Sequence, residues 1–263
     1  MLHRSVAGVV LATAIAWMAW RAGSLSRRGA AAAVVVGTCS VAAGWAWAAL
    51  LMVFFLSSTL LTRWRARAKT QRAGGIVEKG GARDAVQVLS NGGVFAFAAV
   101  VGSLIPSTAV QCLSVGALAT AASDTWGTEV GIAVSGRPRF ILTGRIVAAG
   151  TSGAVSIPGT VASIAGACFM GGAARWLGFP PAVAAAAAAG GLIGALVDSL
   201  LGATVQERRH CPRCDEPTER LHHACGAPTI LVGGVPGVRN DLVNLTSGAL
   251  GGVAAVALGH VFA

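Results

Sequence analysis

The sequence predicts an all-α polytopic membrane protein with about seven to eight transmembrane helices, and three observations carry this prediction. Of the 263 residues, 54% are apolar and only 11% are charged, whereas soluble domains carry about 25% charged residues. The apolar residues form long blocks that short arginine-rich segments separate. Only helices and closed barrels satisfy their backbone groups in lipid, and the run 182–189 lacks the alternation of a barrel strand. We therefore expect one integral membrane domain over residues 1–263.

The spans follow from the apolar blocks in chain order. Only Arg4 precedes the first block as a charged residue, and no small-residue cleavage site follows, so this block is expected to be a retained span. The second block, 30–61, would be about 48 Å long as one helix, against a hydrocarbon core of about 30 Å. It is either an over-long helix or two segments bent near Gly44. The predicted blocks are 5–20, 30–61, 85–104, 109–134, 154–177, 181–203 and 241–262.

Positive charge predicts the sidedness. The loops 106–108 and 178–181 carry no charge, and loops rich in Lys and Arg usually face the cytoplasm. If block 30–61 crosses twice, eight crossings put every basic loop on the cytoplasmic side, and we prefer this count. The net charge of +10 is thus assigned to topology, and nucleic-acid binding is not expected because no recognised module is present. The basic segments are 21–28, 63–83, 137–145 and 208–239.

Glycine and alanine are abundant inside the predicted spans. Gly190, Gly191 and Gly194 lie on one span, and Gly248 and Gly251 lie on the last one. Small residues allow membrane helices to approach closely, so we expect tight helix packing through these faces.

Acidic residues are scarce, with ten in the chain, so their positions are informative. Asp124 and Asp198 lie near the predicted cytoplasmic ends of two helices, and Asp84 and Asp241 begin two others on the same side. Ionisable residues at the edge of a span are costly and indicate a functional site. The alternative is that each carboxylate pairs with an interfacial arginine, which explains one residue better than it explains all four.

Helical spacing places amides beside these carboxylates. Asp84, Gln87 and Asn91 stand at i, i+3 and i+7, and Asp241 and Asn244 stand at i and i+3, so each set shares one helix face. Mg²⁺ binds one or two carboxylates together with phosphate oxygens. The pattern therefore predicts a magnesium site near the cytoplasmic membrane surface.

Residues suited to phosphate lie nearby in the sequence. Lys79 and Arg83 supply cations, and the turn 150–153 (GTSG) precedes Ser156 and a predicted helix. Backbone N–H groups of such a turn can hold a phosphate at a helix N-terminus, although the P-loop spacing and its lysine are missing. The combination predicts phosphoryl or nucleotidyl transfer on a lipid.

Five separated motifs run in order over nearly the whole chain. They are 79–84 (KGGARD) with Gln87 and Asn91, 123–126 (SDTW) with Glu129, 150–159, 198–203 (DSLLGA) with Gln206, and 240–244 (NDLVN). With these motifs the chain resembles the integral-membrane family that includes phytyl-phosphate kinase of the tocopherol pathway. More loosely, Asp124 followed by the glycine-rich turn resembles the CTP-dependent phytol and dolichol kinases.

The resemblance implies transfer of the terminal phosphoryl group of a nucleoside triphosphate, CTP or ATP, to a prenyl or phytyl monophosphate in the bilayer. Because the attacking oxygen is already anionic, positioning and charge neutralisation would suffice. Asp124, Asp198 and Asp241 are expected to bind Mg²⁺, while Asn91 and Asn244 orient ligands. The other expected substrate- and phosphate-binding residues are Lys79, Arg83, Asp84, Gln87, Thr125, Glu129, Gly150, Thr151, Ser152, Gly153, Ser156, Gln206 and Asn240.

Other function classes remain open at this point. A lipid cytidylyltransferase or a prenol kinase would use the same Mg²⁺ and triphosphate. A transporter or flippase of a phosphorylated lipid would also need an anion site, but transporters usually show internal repeats, and this sequence shows none. A scaffold without chemistry leaves the clustered acids and amides unexplained.

The loop 204–237 is rich in cysteine and histidine. Cys211 and Cys214 form a C-x-x-C pair, and Cys225 follows eleven residues later, preceded by His222 and His223. Three cysteines and either histidine could bind a structural Zn²⁺, with His210 as a further candidate ligand. Reduced free thiols, or a redox pair or disulfide, are the alternatives, and the expected cytoplasmic side disfavours a stable disulfide.

Overall fold

The computed structural model describes residues 2–73, 75–77, 81–134 and 136–262. As predicted, the protein is a helical bundle, and Leu50, Phe95, Leu118 and Met170 lie fully buried at its centre. The helices in chain order are α1 (Leu2–Arg21), α2 (Arg27–Ala43), α3 (Trp45–Arg63), α4 (Ala66–Ala73), α5 (Ala85–Leu104), α6 (Thr108–Ala133), α7 (Ile157–Trp176), α8 (Pro181–Thr204) and α9 (Asn240–Phe262).

Five of the described helices, α3, α5, α7, α8 and α9, are long and apolar enough to cross a membrane. The predicted count of seven or eight spans is therefore not confirmed. Helix α2 has only 17 residues, and α6 carries Asp124 and Glu129 in its last turns.

The second apolar block is two helices that meet at Gly44, which settles the choice between one long helix and a bent pair. Gly44 has φ 150° and ψ 158°, a combination that side chains disfavour and glycine tolerates. Arg63 at the end of α3 donates hydrogen bonds to Ala22 O at 2.7 Å and to Ser24 Oγ at 2.8 Å. The chain thus turns back at Gly44, and the start of α2 lies beside the end of α3.

Glycine faces bring α6, α8 and α9 into close contact, as the small-residue pattern predicts. A Cβ atom added at Gly190 of α8 would lie 2.6 Å from Gly251 O and 2.7 Å from Ala255 N, both on α9. A Cβ atom at Gly191 would lie 2.7 Å from the Cβ of Ala119 on α6. The three helix backbones therefore approach more closely than larger residues would permit.

Gly190→Ala is expected to lower the free energy of unfolding by about 1–3 kcal/mol, the usual cost of an extra group in a packed core. The new methyl group would meet backbone atoms of α9, which cannot rotate away. Gly172→Ala on α7 is the matched control, because nothing lies within 4 Å of its Cβ position. Thermal unfolding in detergent should show a lower Tm for the first variant only, and equal Tm values would contradict this packing.

Two small antiparallel sheets accompany the helices, and the all-α prediction did not include them. Strand β1 (Arg139–Phe140) pairs with β2 (Ala154–Val155). In the loop between α8 and α9, β3 (Arg208–Cys211) lies between β4 (Glu216–Thr218) and β5 (Ile230–Gly233). Because β2 precedes α7, that helix begins at Ile157 rather than near residue 154, with Ser156 as its N-cap.

Candidate functional site

A cavity of about 600 Å³ lies at the end of the bundle where α3, α6 and α8 end and α5, α7 and α9 begin. All but two of the residues predicted to bind magnesium, phosphate or substrate line it. These are Arg83, Gln87, Asn91, Asp124, Thr125, Glu129, Gly150, Thr151, Ser152, Gly153, Ser156, Asp198, Gln206, Asn240, Asp241 and Asn244. Of the other two, Lys79 lies outside the described residues, and Asp84 lies apart from the cavity lining.

The glycine packing explains how Asp124 and Asp198 come together. Gly194 of α8 contacts the Thr120 side chain of α6 so closely that a Cβ atom could not fit between them. Asp198 and Asp124 each follow these residues by four positions, which is about one helical turn. The two carboxylates therefore face each other across the same helix contact, and Asp124 interacts electrostatically with Asp198 and Glu129.

Helix α9 contributes the third carboxylate and a support for the second. The Ser247 hydroxyl, which is buried, donates a hydrogen bond to Asp198 Oδ2 at 2.8 Å. Asp241 is 9% exposed in the first turn of α9, and Asn244 follows one turn later on the cavity wall. Ser247 was missed in the sequence, although it stands three residues after Asn244 and the helical period could have identified it.

This donor set fits a magnesium ion. Carboxylate and amide oxygens are hard ligands, and Mg²⁺ usually keeps several waters and binds only one or two carboxylates beside phosphate oxygens. Within the described chain, the three aspartates line one cavity without forming a tight ligand group of their own. The arrangement therefore leaves room for water and phosphate oxygens in the coordination shell.

Asp84 has a structural role at the start of helix α5. Its Oδ1 accepts a hydrogen bond from the Gln87 backbone N–H at 2.9 Å, and Gln87 Oε1 accepts one from the Asp84 N–H at 3.0 Å. This reciprocal pair is a capping box that begins α5. Asp84 thus orients the helix that presents Asn91, whose Nδ2 donates to Gln87 O at 2.9 Å.

Lys69 is a buried cavity residue that the sequence analysis missed. Its ammonium group forms an ion pair with Glu129 and donates hydrogen bonds to the carbonyls of Leu61 and Thr62, both at 2.7 Å. Thr62 Oγ1 in turn donates to Glu129 Oε1 at 2.6 Å. Glu129, expected to bind substrate, is thereby neutralised and joins α6 to α3 and α4. Lys69 is one of only two lysines in the chain, and this rarity was the available signal.

Arg83 supplies one of the positive charges that line the cavity. Its guanidinium donates to Thr59 Oγ1 at 3.2 Å and to Thr62 Oγ1 at 3.4 Å. Burial lowers the pKa of Arg83 from its usual value, and the negative charge of Glu129 partly opposes this shift. A partly buried guanidinium with hydroxyl partners is suited to bind a phosphate through its remaining donors.

The glycine-rich turn lies against α8 and α4, and it lines the same cavity as Ser156 and Gly159 at the start of α7. Gly150 and Gly153 have φ values of 87° and 74°, and a Cβ atom at Gly153 would lie 2.7 Å from Ala203 N. The Thr151 N–H donates to Ala148 O at 3.3 Å. That amide therefore serves the turn itself, and the cradle of backbone N–H groups stays a prediction for the other amides of the turn.

Glu219, from the loop between α8 and α9, reaches the cavity wall. It accepts hydrogen bonds from the Ser152 hydroxyl and from Gln206 Nε2, the latter at 3.0 Å. Gln206 is 3% exposed, so this contact is well shielded from water. Sequence reasoning had no signal for Glu219, because 67 residues separate it from Ser152.

The cysteine loop collects four metal-ligand side chains at one point. Ligand atoms of Cys211, Cys214, His223 and Cys225 lie within 4.8 Å of one another. Of the two histidines left open by the sequence, the structure selects His223, whereas His210 Nε2 lies 3.1 Å from Asp215 Oδ1.

Glu207 joins the start of this loop to its end, and it makes a pH dependence testable. Its Oε2 accepts the Gly237 N–H at 2.9 Å, and its Oε1 pairs with Arg209. Burial alone would raise the pKa of Glu207, but these hydrogen bonds and the charges of Arg209 and Arg239 outweigh it, so the pKa lies below its usual value.

A depressed carboxylate pKa stabilises the fold above the unfolded pKa, and this contribution is lost as the pH falls through the folded pKa. Glu207→Gln is therefore expected to weaken hydrogen-exchange protection of the Gly237 amide at pH 7. The difference from wild type should shrink below about pH 4.3, the ordinary glutamate pKa. A difference that is equal at pH 7 and pH 3 would contradict the assignment.

Comparisons with known proteins agree with the membrane architecture. The family described as integral membrane protein DUF92 matches residues 10–252. Protein PGR of Arabidopsis thaliana is 31% identical over 234 residues, which are 79% of this chain and 81% of that protein. The chloroplastic protein VTE6 of Arabidopsis thaliana is 28% identical over 240 residues, which are 88% of this chain and 64% of that protein.

A shorter match covers part of the chain. An uncharacterized membrane protein of Methanocaldococcus jannaschii is 37% identical over 94 residues, which are 36% of this chain and 40% of that protein. No solved structure matches the chain at a significant level.

Proposed function

Because the chain belongs to the integral membrane protein family DUF92, we propose that it is a membrane-embedded prenyl-phosphate kinase. The same matches confirm the distant relation to the phytyl-phosphate kinase family that the five motifs predict. In the proposed reaction, the terminal phosphoryl group of CTP or ATP passes to a prenyl monophosphate, giving the prenyl diphosphate and a nucleoside diphosphate.

One observation carries this proposal. Carboxylates from three helices, Asp124 of α6, Asp198 of α8 and Asp241 of α9, line one polar cavity at the end of the bundle. Such a cluster is costly in a membrane protein unless it binds cations. Mg²⁺ held there would neutralise the charge of the phosphates during transfer.

The chain's own residues would do the positioning. Arg83 would hold phosphate oxygens, while Asn91 on α5 and Asn244 on α9 would orient the ligands. An oxygen of the prenyl phosphate attacks the terminal phosphorus, and the bond from that phosphorus to the bridging oxygen breaks. The attacking oxygen is anionic near neutral pH, so catalysis requires alignment and charge neutralisation more than a strong base.

The wall of the cavity offers a place for the prenyl chain. Leu192, Ala195 and Leu196 of α8 line it. Ala195 and Leu196 follow Leu192 by three and four positions, which puts all three on one helix face. Leu196 is 47% exposed. This apolar face runs from the carboxylates toward the middle of the bundle, so a lipid could extend along it while its phosphate stays among the polar groups.

We place this end of the bundle on the cytoplasmic side, where nucleotides are available. The support is the positive-inside rule, because the described parts of the basic segments 21–28 and 63–83 both lie at this end. They include cavity residues such as Arg63, Lys69 and Arg83.

The proposal is tested with the full chain purified in detergent. It is supplied with Mg²⁺, with CTP or ATP, and with prenyl alcohols and prenyl monophosphates of several chain lengths, and the lipids are separated by chromatography. We expect a prenyl diphosphate from the monophosphate, and loss of the reaction when Mg²⁺ is chelated. Conversion of the alcohol alone would instead indicate a prenol kinase, and tight binding of a prenyl phosphate without turnover with any donor would favour a transporter.

A further inference from the structure

The geometry points to a structural zinc ion bound by Cys211, Cys214, His223 and Cys225, which holds the loop between α8 and α9 against the wall of the cavity. The four residues lie in two facing turns. Cys211 ends β3, and the Asp215 N–H donates to Cys211 O at 2.9 Å. In the other turn the Gly226 N–H donates to His223 O, also at 2.9 Å.

The distances between donor atoms match a tetrahedral zinc site. Cys211 Sγ lies 3.7 Å from Cys225 Sγ, and His223 Nδ1 lies 3.4 Å from Cys225 Sγ. With Zn–S near 2.3 Å and Zn–N near 2.0 Å, a tetrahedron has S···S edges of about 3.8 Å and S···N edges of about 3.5 Å. The side chains therefore stand where ligands of one ion would stand.

The chemistry of the four side chains favours zinc over the magnesium proposed for the cavity. Three thiols and one imidazole are soft or borderline ligands, which favour Zn²⁺ over Mg²⁺. Four protein ligands close the coordination shell, as in structural rather than catalytic sites. Cys211 is fully buried and His223 is 7% exposed, so such a site would be shielded from water on one side.

A carboxylate behind the histidine supports this assignment. Glu216 Oε2 lies 3.4 Å from His223 Nε2, on the opposite side of the ring from Nδ1. Histidines that bind metal through one nitrogen commonly direct the other to a carboxylate, which fixes the orientation of the ring. Nδ1 is therefore the nitrogen assigned to the zinc.

The residues between the two ligand pairs explain what the ion would stabilise. Thr218 Oγ1 donates to Gly75 O at 3.0 Å, the Glu219 N–H donates to Ile76 O at 2.8 Å, and Arg220 Nε donates to Val77 O at 3.0 Å. Three consecutive residues thus hold the segment 75–77, which leads from α4 toward α5.

Glu219 also accepts hydrogen bonds from Ser152 and Gln206 on the cavity wall. This loop is polar and has little apolar core of its own, and bound zinc commonly supplies folding free energy to such segments. The zinc would therefore keep residues 218–220 in place against both the segment 75–77 and the turn 150–153.

The first test is the metal content of the full chain, purified in detergent under reducing conditions and measured by elemental mass spectrometry. We expect about one zinc per chain in the wild type. Cys214→Ser should retain less than about one fifth of that amount, because it removes one of four ligands. Cys168→Ser is the matched control, since Cys168 is an exposed cysteine on α7 away from the group, and it should bind zinc as the wild type does.

A second measurement follows the consequence of zinc binding. Removing the zinc with a chelator should accelerate hydrogen exchange at least about tenfold in residues 216–225 and 75–77. The helices α5, α6, α7, α8 and α9 themselves should stay protected. Wild-type protein without stoichiometric zinc, iron in its place, or full zinc content in Cys214→Ser would each overturn the assignment. Unchanged exchange in 75–77 after zinc removal would overturn the proposed role of the ion.

Discussion

Asp124→Asn is expected to lower the rate of phosphoryl transfer about 100-fold or more, comparable to the loss of a single preorganised electrostatic group in other enzymes. Asparagine keeps the shape of the side chain but removes the negative charge that faces Asp198 and Glu129. Asp198→Asn should have a similar effect. The Asp198 carboxylate accepts a hydrogen bond from Ser247 and would bind the same Mg²⁺ as Asp124. Turnover is measured with saturating prenyl monophosphate over a range of Mg²⁺ concentrations, and both variants should need more Mg²⁺.

Asp215→Asn is the matched control for this prediction. Asp215 lies in the loop between α8 and α9, and its side chain is 97% exposed, so the same chemical change there should leave turnover unaltered. If Asp124→Asn and Asp198→Asn each stay within about threefold of wild type, a loss far below that of an electrostatic group, the assignment of the cavity as the catalytic site is wrong.

Lys69→Met is expected to lower the free energy of unfolding by about 2–4 kcal/mol. Breaking a buried ion pair from one side leaves an uncompensated charge, which commonly costs about 3–5 kcal/mol, and the 20% exposure of the Glu129 side chain reduces this penalty. Methionine preserves most of the side-chain volume, so the effect comes from the lost charge and hydrogen bonds. Thermal unfolding in detergent measures it as a lower Tm.

Two further variants separate charge from packing. Arg67→Met removes an exposed positive charge from the same helix and should change the Tm little. Adding Glu129→Gln to Lys69→Met should restore part of the lost stability, because it removes the unpaired carboxylate. A double variant that is as unstable as the sum of the two single variants would contradict a direct pair between Lys69 and Glu129.

The membrane architecture could be predicted because it depends on local properties of the chain. Apolar blocks, their lengths and the position of Gly44 are all contiguous in sequence, and the break at Gly44 is confirmed. The convergence of Asp124, Asp198 and Asp241 could also be predicted. Asp124 and Asp198 stand near the C-terminal ends of α6 and α8, whereas Asp241 stands at the start of α9, and successive spans alternate in direction.

The remaining features depend on contacts between distant parts of the chain. The pair of Lys69 and Glu129 spans 60 residues, and the contact of Ser152 with Glu219 spans 67. Strands β1 to β5 have two to four residues each, which is too short for an alternating pattern to be recognised in sequence. Asp84 shares a helix face with Asn91, but its place at the first turn makes it a cap, and periodicity alone does not distinguish the two roles.

The most direct test of the proposed phosphoryl transfer follows a label from the nucleotide into the lipid. The full chain is incubated with a prenyl monophosphate and Mg²⁺, and the nucleoside triphosphate is labelled either at the γ-phosphate or at the α-phosphate. The account predicts that γ-label appears in a prenyl diphosphate, while α-label remains in the released nucleoside diphosphate. Label from the α-position in a nucleotide-linked lipid, with pyrophosphate released, would contradict a kinase and identify nucleotidyl transfer instead.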